Sequence, residues 1–359
     1  MMGSASFMGR LLAASLTAGA ALCAIARVEW IEKDYDFGLM KEVAGPKTGV
    51  SRFVNLGPDT VSIFNVRPSC GCTSADWSDD PVAPGDTATV AYTYDPAMRP
   101  GRFEKSVKVQ LSDGTRHSIR ITGNVYGTPQ SVAQLYPFEA GDLRLSEVAV
   151  NMGDVTRGRV PVKFVNAYLL SPDSVTPQVS SDIAGLKISP SVEHAGPGDL
   201  ITYSLSYDPT KGDAYGPVEG TITFATPGNS GTLPWRAFVL PDAERLAITA
   251  GRQQPVCEPE SALLDFGSVS RRDATLTAEL IIRNPGKGDL EIFRIVPSHP
   301  ALEVAPGPLR IKKGKRARVK VTLDPARLAP GAARHAITLL TSDPLRTRLD
   351  IPVALFAAE

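Results

Sequence analysis

The chain has 359 residues, 43% of them hydrophobic and 21% charged, with a formal net charge of zero. That excludes a disordered chain and a single small domain, and it predicts two to three domains. Thirty-one Gly and 30 Pro punctuate short apolar runs, which suits an all-β chain with many turns.

Residues 1–26 read as an export signal: Arg10 precedes the Ala/Leu-rich run Leu11 to Ala26, which ends in the small-x-small site Ala24-Ile25-Ala26. The alternative is an uncleaved anchor, although the run is short for a bilayer crossing of about 20 residues. Leu22 before Cys23 argues against a lipoprotein. The expected location is periplasmic or secreted, with membrane contact only through an uncleaved N-terminal segment. In that oxidising compartment the mature chain keeps Cys70, Cys72 and Cys257, an odd number.

From residue 30 the chain repeats. Asp36 to Cys72 lies on Asp265 to Ala301 without a gap at an offset of 229, so that Asp36-Phe37-Gly38 meets Asp265-Phe266-Gly267 and Asn55-Leu56-Gly57 meets Asn284-Pro285-Gly286. Asp95-Pro96 meets Asp324-Pro325, and after one inserted residue Gly101 meets Gly331. A diverged copy lies between, with Met152-Gly153, Phe164-Val165-Asn166 against Phe53-Val54-Asn55, Pro197-Gly198 against Pro84-Gly85, and Asp208-Pro209. Such a long period means tandem domains.

Within each copy, runs such as Thr89 to Tyr94, Phe103 to Leu111, Ser118 to Val125 and Ala317 to Leu323 alternate as half-buried strands. About seven such strands per 100 residues predict an immunoglobulin-like sandwich. The expected fold class is all-β: domain 1 over 30–127, a diverged domain 2 over 132–242, a Pro-rich linker over 243–260 and domain 3 over 261–357. Gly127 to Gln134 reads as a second linker, and no helical stripe of useful length follows residue 30. Asn-x-Gly is expected to supply a turn with positive φ, Pro-Gly at 84–85 to set a hairpin approach, and Asp-Pro to end a strand.

The series Asp-Phe-Gly, Phe-Val-Asn-Leu-Gly, Ser69-Cys70-Gly71-Cys72-Thr73, Ala-Pro-Gly and Tyr-Asp-Pro followed by Gly101-Arg102-Phe103 resembles an exported bacterial domain-of-unknown-function family, number fifteen-seventy-three. That family is similar in fold to the abnormal-spindle/hydin and major-sperm-protein type domains. The resemblance covers domain 1 well, domain 3 as a relative without the cysteines, and domain 2 by its skeleton. It implies a fold and a compartment and lends no reaction.

Cys70-Gly71-Cys72 is the sharpest chemical candidate: a structural turn, a redox pair, or half of a soft-metal site that still needs ligands. Domain 3 builds the same turn from Ser298-His299-Pro300-Ala301, so the cysteines are not required for folding. Cys257 pairs with Cys70 or Cys72, pairs between chains, or stands by as a free thiol. Lys312, Lys313, Lys315, Arg316, Arg318 and Lys320 form a candidate anion-binding run, against which stands a solvated strand face. The run lacks interleaved aromatics, which argues against nucleic acid. Residues 131–260 carry a net charge of −6 and residues 261–359 carry +6.

Enzyme signatures are missing, and His117, His194, His299 and His335 are scattered. The expectation is a non-enzymatic binding or scaffolding protein of the cell envelope, without a cofactor, whose partner is a protein or another envelope component. The alternative is a thiol-redox or soft-metal-handling protein using Cys70 and Cys72.

Overall fold

The computed structural model describes residues 28–212, 214–304 and 309–358. The expected export segment over residues 1–26 lies outside them. Among the described residues, no helix is long and apolar enough to cross a membrane. Two compact units form: one from the described residues up to 40 with 44–96 and 103–123, the other from 41–43, 97–102 and 124–358. Together they hold three tandem immunoglobulin-like sandwiches, called modules 1 to 3 below.

In module 1 the alternating runs become β1 (Val28–Trp30), β2 (Asp34–Lys41), β3 (Lys47–Asn55), β4 (Ile63–Pro68), β5 (Thr73–Trp77), β6 (Thr87–Tyr94), β7 (Gly101–Leu111) and β8 (Arg116–Tyr126). They make two four-stranded sheets, ordered β1-β3-β6-β5 and β2-β8-β7-β4. The period of two puts Ala88, Val90, Tyr92 and Tyr94 of β6 inside and leaves Thr87 and Thr89 in solvent. Phe53, Val107, Val109, Ile119 and Ile121 complete a core in which each is 0% exposed, worth roughly 1.5–3 kcal/mol per side chain. Tyr92 can enter because Ser51 Oγ meets its hydroxyl at 2.9 Å.

The second unit holds modules 2 and 3. Module 2 pairs a five-stranded sheet around Val162–Leu169 and Leu200–Tyr207 with a four-stranded sheet around Gly216–Thr226 and Asn229–Leu240. In module 3 a four-stranded sheet around Leu276–Arg283 and Arg316–Leu323 faces a five-stranded sheet around Gly331–Thr341 and Arg348–Ala358. Each has its own buried cluster, centred on Trp235, Tyr203 and Phe224 in one and on Leu280, Val321, Leu339 and Val353 in the other.

The repeated motifs have definite mechanical roles. In Asp-Phe-Gly the carboxylate accepts from the glycine N–H two residues on, at 2.9 Å for Asp36 and Gly38 and 2.8 Å for Asp265 and Gly267, and Asn151 does the same for Gly153 at 2.9 Å. All three glycines sit near φ +66°. In modules 2 and 3 this turn is a bulge in a parallel strand pair, where Asn151/Asp154 and Asp265/Ser268 skip two residues against the partner strand. Asp208 and Asp324 of the Asp-Pro motifs cap one-turn 3-10 helices by accepting from Thr210 and Ala326 N–H.

Two expectations about the repeated motifs are corrected by the structure. Gly286 of Asn-x-Gly has no positive φ; what forces glycine there is a Cβ that would lie 2.6 Å from Val256 N. The positive φ belongs to the Pro-Gly and Lys-Gly turns, at Gly85, Gly198 and Gly314. In module 2, the residue equivalent to Asn55 is Leu169, not Asn166. Gly85, Gly198 and Gly314 donate to the carbonyls of Asn55, Leu169 and Asn284 respectively. Phe164-Val165-Asn166 mimics the string of module 1 three residues out of register: Phe164 is 60% exposed and Phe53 is buried.

Helices occur in both expected linkers. Pro129–Leu135 (α1) starts at a capping box of Thr128 and Ser131, and Ala243–Ala250 (α2) is capped by Asp242. They are too short, at seven and eight residues, to show a stripe. The rest of the 243–260 segment belongs to module 3: Glu258–Pro259 pairs with Arg283 and Ile282, and Asn284 Oδ1 accepts from Val256 N–H at 3.1 Å.

Candidate functional site

The turn after β4 is built identically in all three modules. Ser69 N–H donates to Ser106 O at 2.8 Å, and Ser106 N–H returns to Ser69 Oγ at 3.0 Å. Asp182 with Thr221 and Ser298 with Ala336 repeat that exchange. Three residues on, the carbonyls of Cys72, Gly185 and Ala301 each accept at 2.9 Å from the N–H of Asp95, Asp208 and Asp324. Cys70-Gly71-Cys72 is therefore equivalent to Ile183-Ala184-Gly185 and His299-Pro300-Ala301.

Cys70 and Cys72 are joined by a disulfide, with Cα atoms 5.3 Å apart. Cys72 is 7% exposed, Cys70 is half-buried and Gly71 is exposed. Thr73 Oγ1 lies 3.6 Å from Cys70 Sγ and 3.9 Å from Cys72 Sγ. Among the described residues Cys257 has no disulfide partner: it sits fully buried in the core of module 3, its N–H donating to Asp343 Oδ2 at 2.9 Å and its carbonyl accepting from Arg346 at 2.7 Å. Burial, then the Asp343 charge, pushes its thiol up to about 12, so it stays protonated and inert. Of the alternatives open for Cys257, this arrangement is that of the free thiol, and Cys70 and Cys72 pair with each other instead. Among the described residues no group of three His, Cys, Asp or Glu side chains could hold a metal ion.

The scattered histidines are brought together once. His299 and His335 rings lie 4.6 Å apart, and burial followed by the His299 charge lowers the His335 pKa. His117 Nε2 is buried without a hydrogen-bond partner among the described residues, and burial lowers its pKa too.

The basic run of module 3 spreads along a turn and an outer strand face. Arg316 meets Glu260 at 3.4 Å and Arg318 meets Glu279 at 3.6 Å, while Lys312, Lys313, Lys315 and Lys320 are exposed. Val319 and Val321 point inward, as the solvated-face reading requires.

Sequence reasoning missed a second surface. In module 1 a groove of about 660 Å³ on the β4-β7-β8 sheet is lined by Phe64, Arg67, Lys108, Gln110 and Arg116, among others. Phe64 sits at a bulge between Ile63 and Asn65 and is 70% exposed. Phe293 occupies the same bulge in module 3, between Ile292 and Arg294, and there it is covered. Its ring stacks on Tyr215 of module 2 at 4.5 Å, and Arg294 donates to Tyr215 O at 2.8 Å. Arg348 opens the last strand of module 3 as Arg116 opens β8; it pairs with Asp154 at 3.2 Å and lies 5.0 Å over Phe238, both in module 2. The face that grips module 2 in module 3 is thus bare in module 1, and among the described residues Arg67, Lys108 and Arg116 make no ion pair. The repeated Ile-Phe at 63–64 and 292–293 was the available signal.

These features agree with the relationships of the chain. Module 1 matches DUF1573, a protein family of unknown function, over residues 28–125. Residues 255–353 match the HYDIN/CFA65/VesB-like Ig-like domain. No curated protein matches the chain. Similar solved structures include a protein of unknown function from Porphyromonas gingivalis W83, at 19% identity and a TM-score of 0.44 over 60% of this chain and 100% of that one. Another is PapD-like domain 7 of human CEP192, at 13% identity and a TM-score of 0.25, over 29% of this chain and 85% of that one. The Vibrio cholerae VesB protease has 14% identity and a TM-score of 0.22, over 27% of this chain and 31% of that one. The DUF1573 segment contains both the disulfide turn and the bare groove.

Proposed function

We propose that this chain is an exported, non-enzymatic immunoglobulin-like binding protein of the cell envelope. Its DUF1573 module takes the end of another immunoglobulin-like module on the β4-β7-β8 face. The observation that carries this reading is the pair of equivalent bulged phenylalanines, Phe293 stacked under Tyr215 and Phe64 exposed. An exposed aromatic beside three cations without carboxylate partners among the described residues suits an incoming aromatic ring and acid, the roles Tyr215 and Asp154 play against module 3. The chain's own third module ends in Phe356 at the position of Phe238, 52% exposed, but has Ser268 where module 2 has Asp154. Charge therefore favours an acidic-ended partner over a second copy of this chain.

A photo-cross-linking residue in place of Phe64, used in the full chain within its native envelope, tests this. The expected product is one adduct to an immunoglobulin-like module, lost when Arg116→Glu is added. An adduct to a second copy of the chain would replace the partner, and no adduct would overturn the reading. The basic run of module 3 is better read as a solvated ladder, because Glu260 and Glu279 already face Arg316 and Arg318.

A further inference from the structure

The residue before Ser106, Thr221 or Ala336 on the neighbouring strand occupies one position in all three modules: Lys105, Gly220 and His335. In two modules that position touches the equivalent of Cys70. The His335 ring lies 4.6 Å from His299, and a Cβ on Gly220 would collide with Ile183 Cγ1. Ser69 and Ser106 exchange the same two hydrogen bonds in module 1, and Pro68 is registered against Val107, so Lys105 holds the position facing Cys70. The occupants of the paired positions are Ile with Gly, His with His, and Cys with Lys.

We infer that Cys70–Cys72 is an exchange-active disulfide, entered at Cys70, with Lys105 as the cation that holds the Cys70 thiolate. Three observations lead there. The turn keeps its backbone hydrogen bonds in modules 2 and 3 without cysteines, so the disulfide is not needed to form it. Cys70 and Gly71 are open to approach while Cys72 is buried, which selects the sulfur attacked. Lys105 is half-buried and makes no ion pair among the described residues, whereas its neighbour Glu104 turns away to Arg120 at 3.3 Å. A cation beside a partly exposed cysteine is the setting of a reactive thiol.

The strands that lead into and out of the turn carry Arg67 on β4 and Asp76 on β5, both exposed, and Asp95 follows β6, its N–H bonding to Cys72 O. Arg67 and Asp76 have water to screen them, which leaves Lys105 as the half-buried cation facing the entry sulfur.

The co-reactant is a thiol, either a small dithiol or a cysteine of a partner protein. Its thiolate attacks Cys70 Sγ; the Cys70–Cys72 bond breaks, a mixed disulfide forms at Cys70, and Cys72 leaves as a thiolate that takes a proton from water. A second thiolate attacks the external sulfur of the mixed disulfide and releases Cys70 as a thiolate beside Lys105. The net change is two electrons: the protein disulfide and two thiols become a protein dithiol and an external disulfide.

The test titrates the full folded chain in dithiothreitol and in glutathione buffers. The fraction reduced is trapped by alkylation and read by intact mass, and the apparent pKa of Cys70 comes from the pH dependence of its alkylation rate. Cys257 should stay unlabelled, which reports that module 3 remains folded, and hydrogen exchange of β6 and β7 reports the same for module 1. The inference expects complete reduction of Cys70–Cys72 without unfolding, and a Cys70 pKa below the free-cysteine value of about 8.5. Lys105→Ala should raise that pKa and slow exchange about tenfold at neutral pH, and Lys105→Arg should restore both. A disulfide that resists dithiothreitol until the chain unfolds would overturn the inference. So would a Cys70 pKa that is the same in the wild type and in Lys105→Ala. Neither outcome bears on the Phe64 face, which is tested separately.

Discussion

Modules 1 and 3 share one framework, and their differences are concentrated at two places. At the turn after β4, module 1 has a disulfide facing Lys105 and module 3 has a histidine pair, on the same hydrogen bonds. On the outer sheet face, module 3 packs Phe293 and Arg348 against module 2, while module 1 leaves Phe64 and Arg116 bare. The repeated residues therefore specify the sandwich, and function is to be sought where module 1 departs from its repeat. This is the reverse of arguing from the fold, which hosts many unrelated activities.

The largest effect that would sharpen the comparison lies in the shared asparagine. Asn284 is fully buried; its amide donates to Gly288 and Ile311 carbonyls at 2.9 Å, and its Oδ1 accepts from Gly286 and Val256 N–H at 3.1 Å. Asn55 makes the equivalent bonds to Asp59, Val82 and Gly57 without the fourth. Asn284→Ala should cost roughly 3–4 kcal/mol and Asn55→Ala about 1 kcal/mol less. Hydrogen exchange resolved by module is the measurement, because a three-module chain need not unfold in two states. Equal losses would mean that the Val256 strap contributes nothing.

Next in size is the bulged phenylalanine. Phe293→Ala removes a ring stacked on Tyr215 and should loosen the module 2–3 contact by about 2–3 kcal/mol, read as faster exchange around Tyr215. Phe64→Ala should stay within about 0.5 kcal/mol of wild type in the isolated chain. A large loss at Phe64 would mean that its ring is structural and would remove the argument for a bare docking face.

Much of this was legible in the chain. The offset of 229 found the sandwiches and the repeated places of Asp-Phe-Gly and Asp-Pro, because those motifs act through backbone geometry within a few residues; that the first makes a bulge and the second a cap needed the paired strands. The middle copy slipped by three residues because a short string, Phe-Val-Asn, outweighed burial, and burial is invisible until the strand is paired. The partnership of Lys105 with Cys70 depends on β7 lying beside the turn after β4. After the single inserted residue Lys105 falls on His335, so that alignment held the clue, but a contact needed the sheet to reveal it. Tyr215 on Phe293 was beyond any local pattern, since it crosses from one module to the next.

A smaller effect tests the turn itself. Replacing Cys70 and Cys72 together by His and Ala, the residues of module 3, should leave module 1 folded. The loss should be about 1.6 kcal/mol, the chain-entropy value for so short a loop. Denaturant unfolding of module 1 checks it. Failure to fold would make the disulfide structural and break the equivalence of the two turns.

The smallest expected effect is electrostatic. In module 3, burial and then the His299 charge lower the His335 pKa from its ordinary 6.5. Below about pH 6.5 the unfolded chain therefore binds a proton that the folded one refuses, so the folded state loses stability as pH falls through that value and regains it above. His117 acts in the same direction in module 1, where burial is the main cause and Lys33 adds to it. The two are separable by exchange resolved by module. His335→Gln should flatten the acid dependence of module 3 between about pH 6.5 and 5 while leaving that of module 1 unchanged, and Lys105→Ala should alter neither. If His335→Gln leaves the acid dependence of module 3 intact, the paired rings at 4.6 Å do not hold back protonation, and the position facing the turn has no electrostatic consequence in module 3.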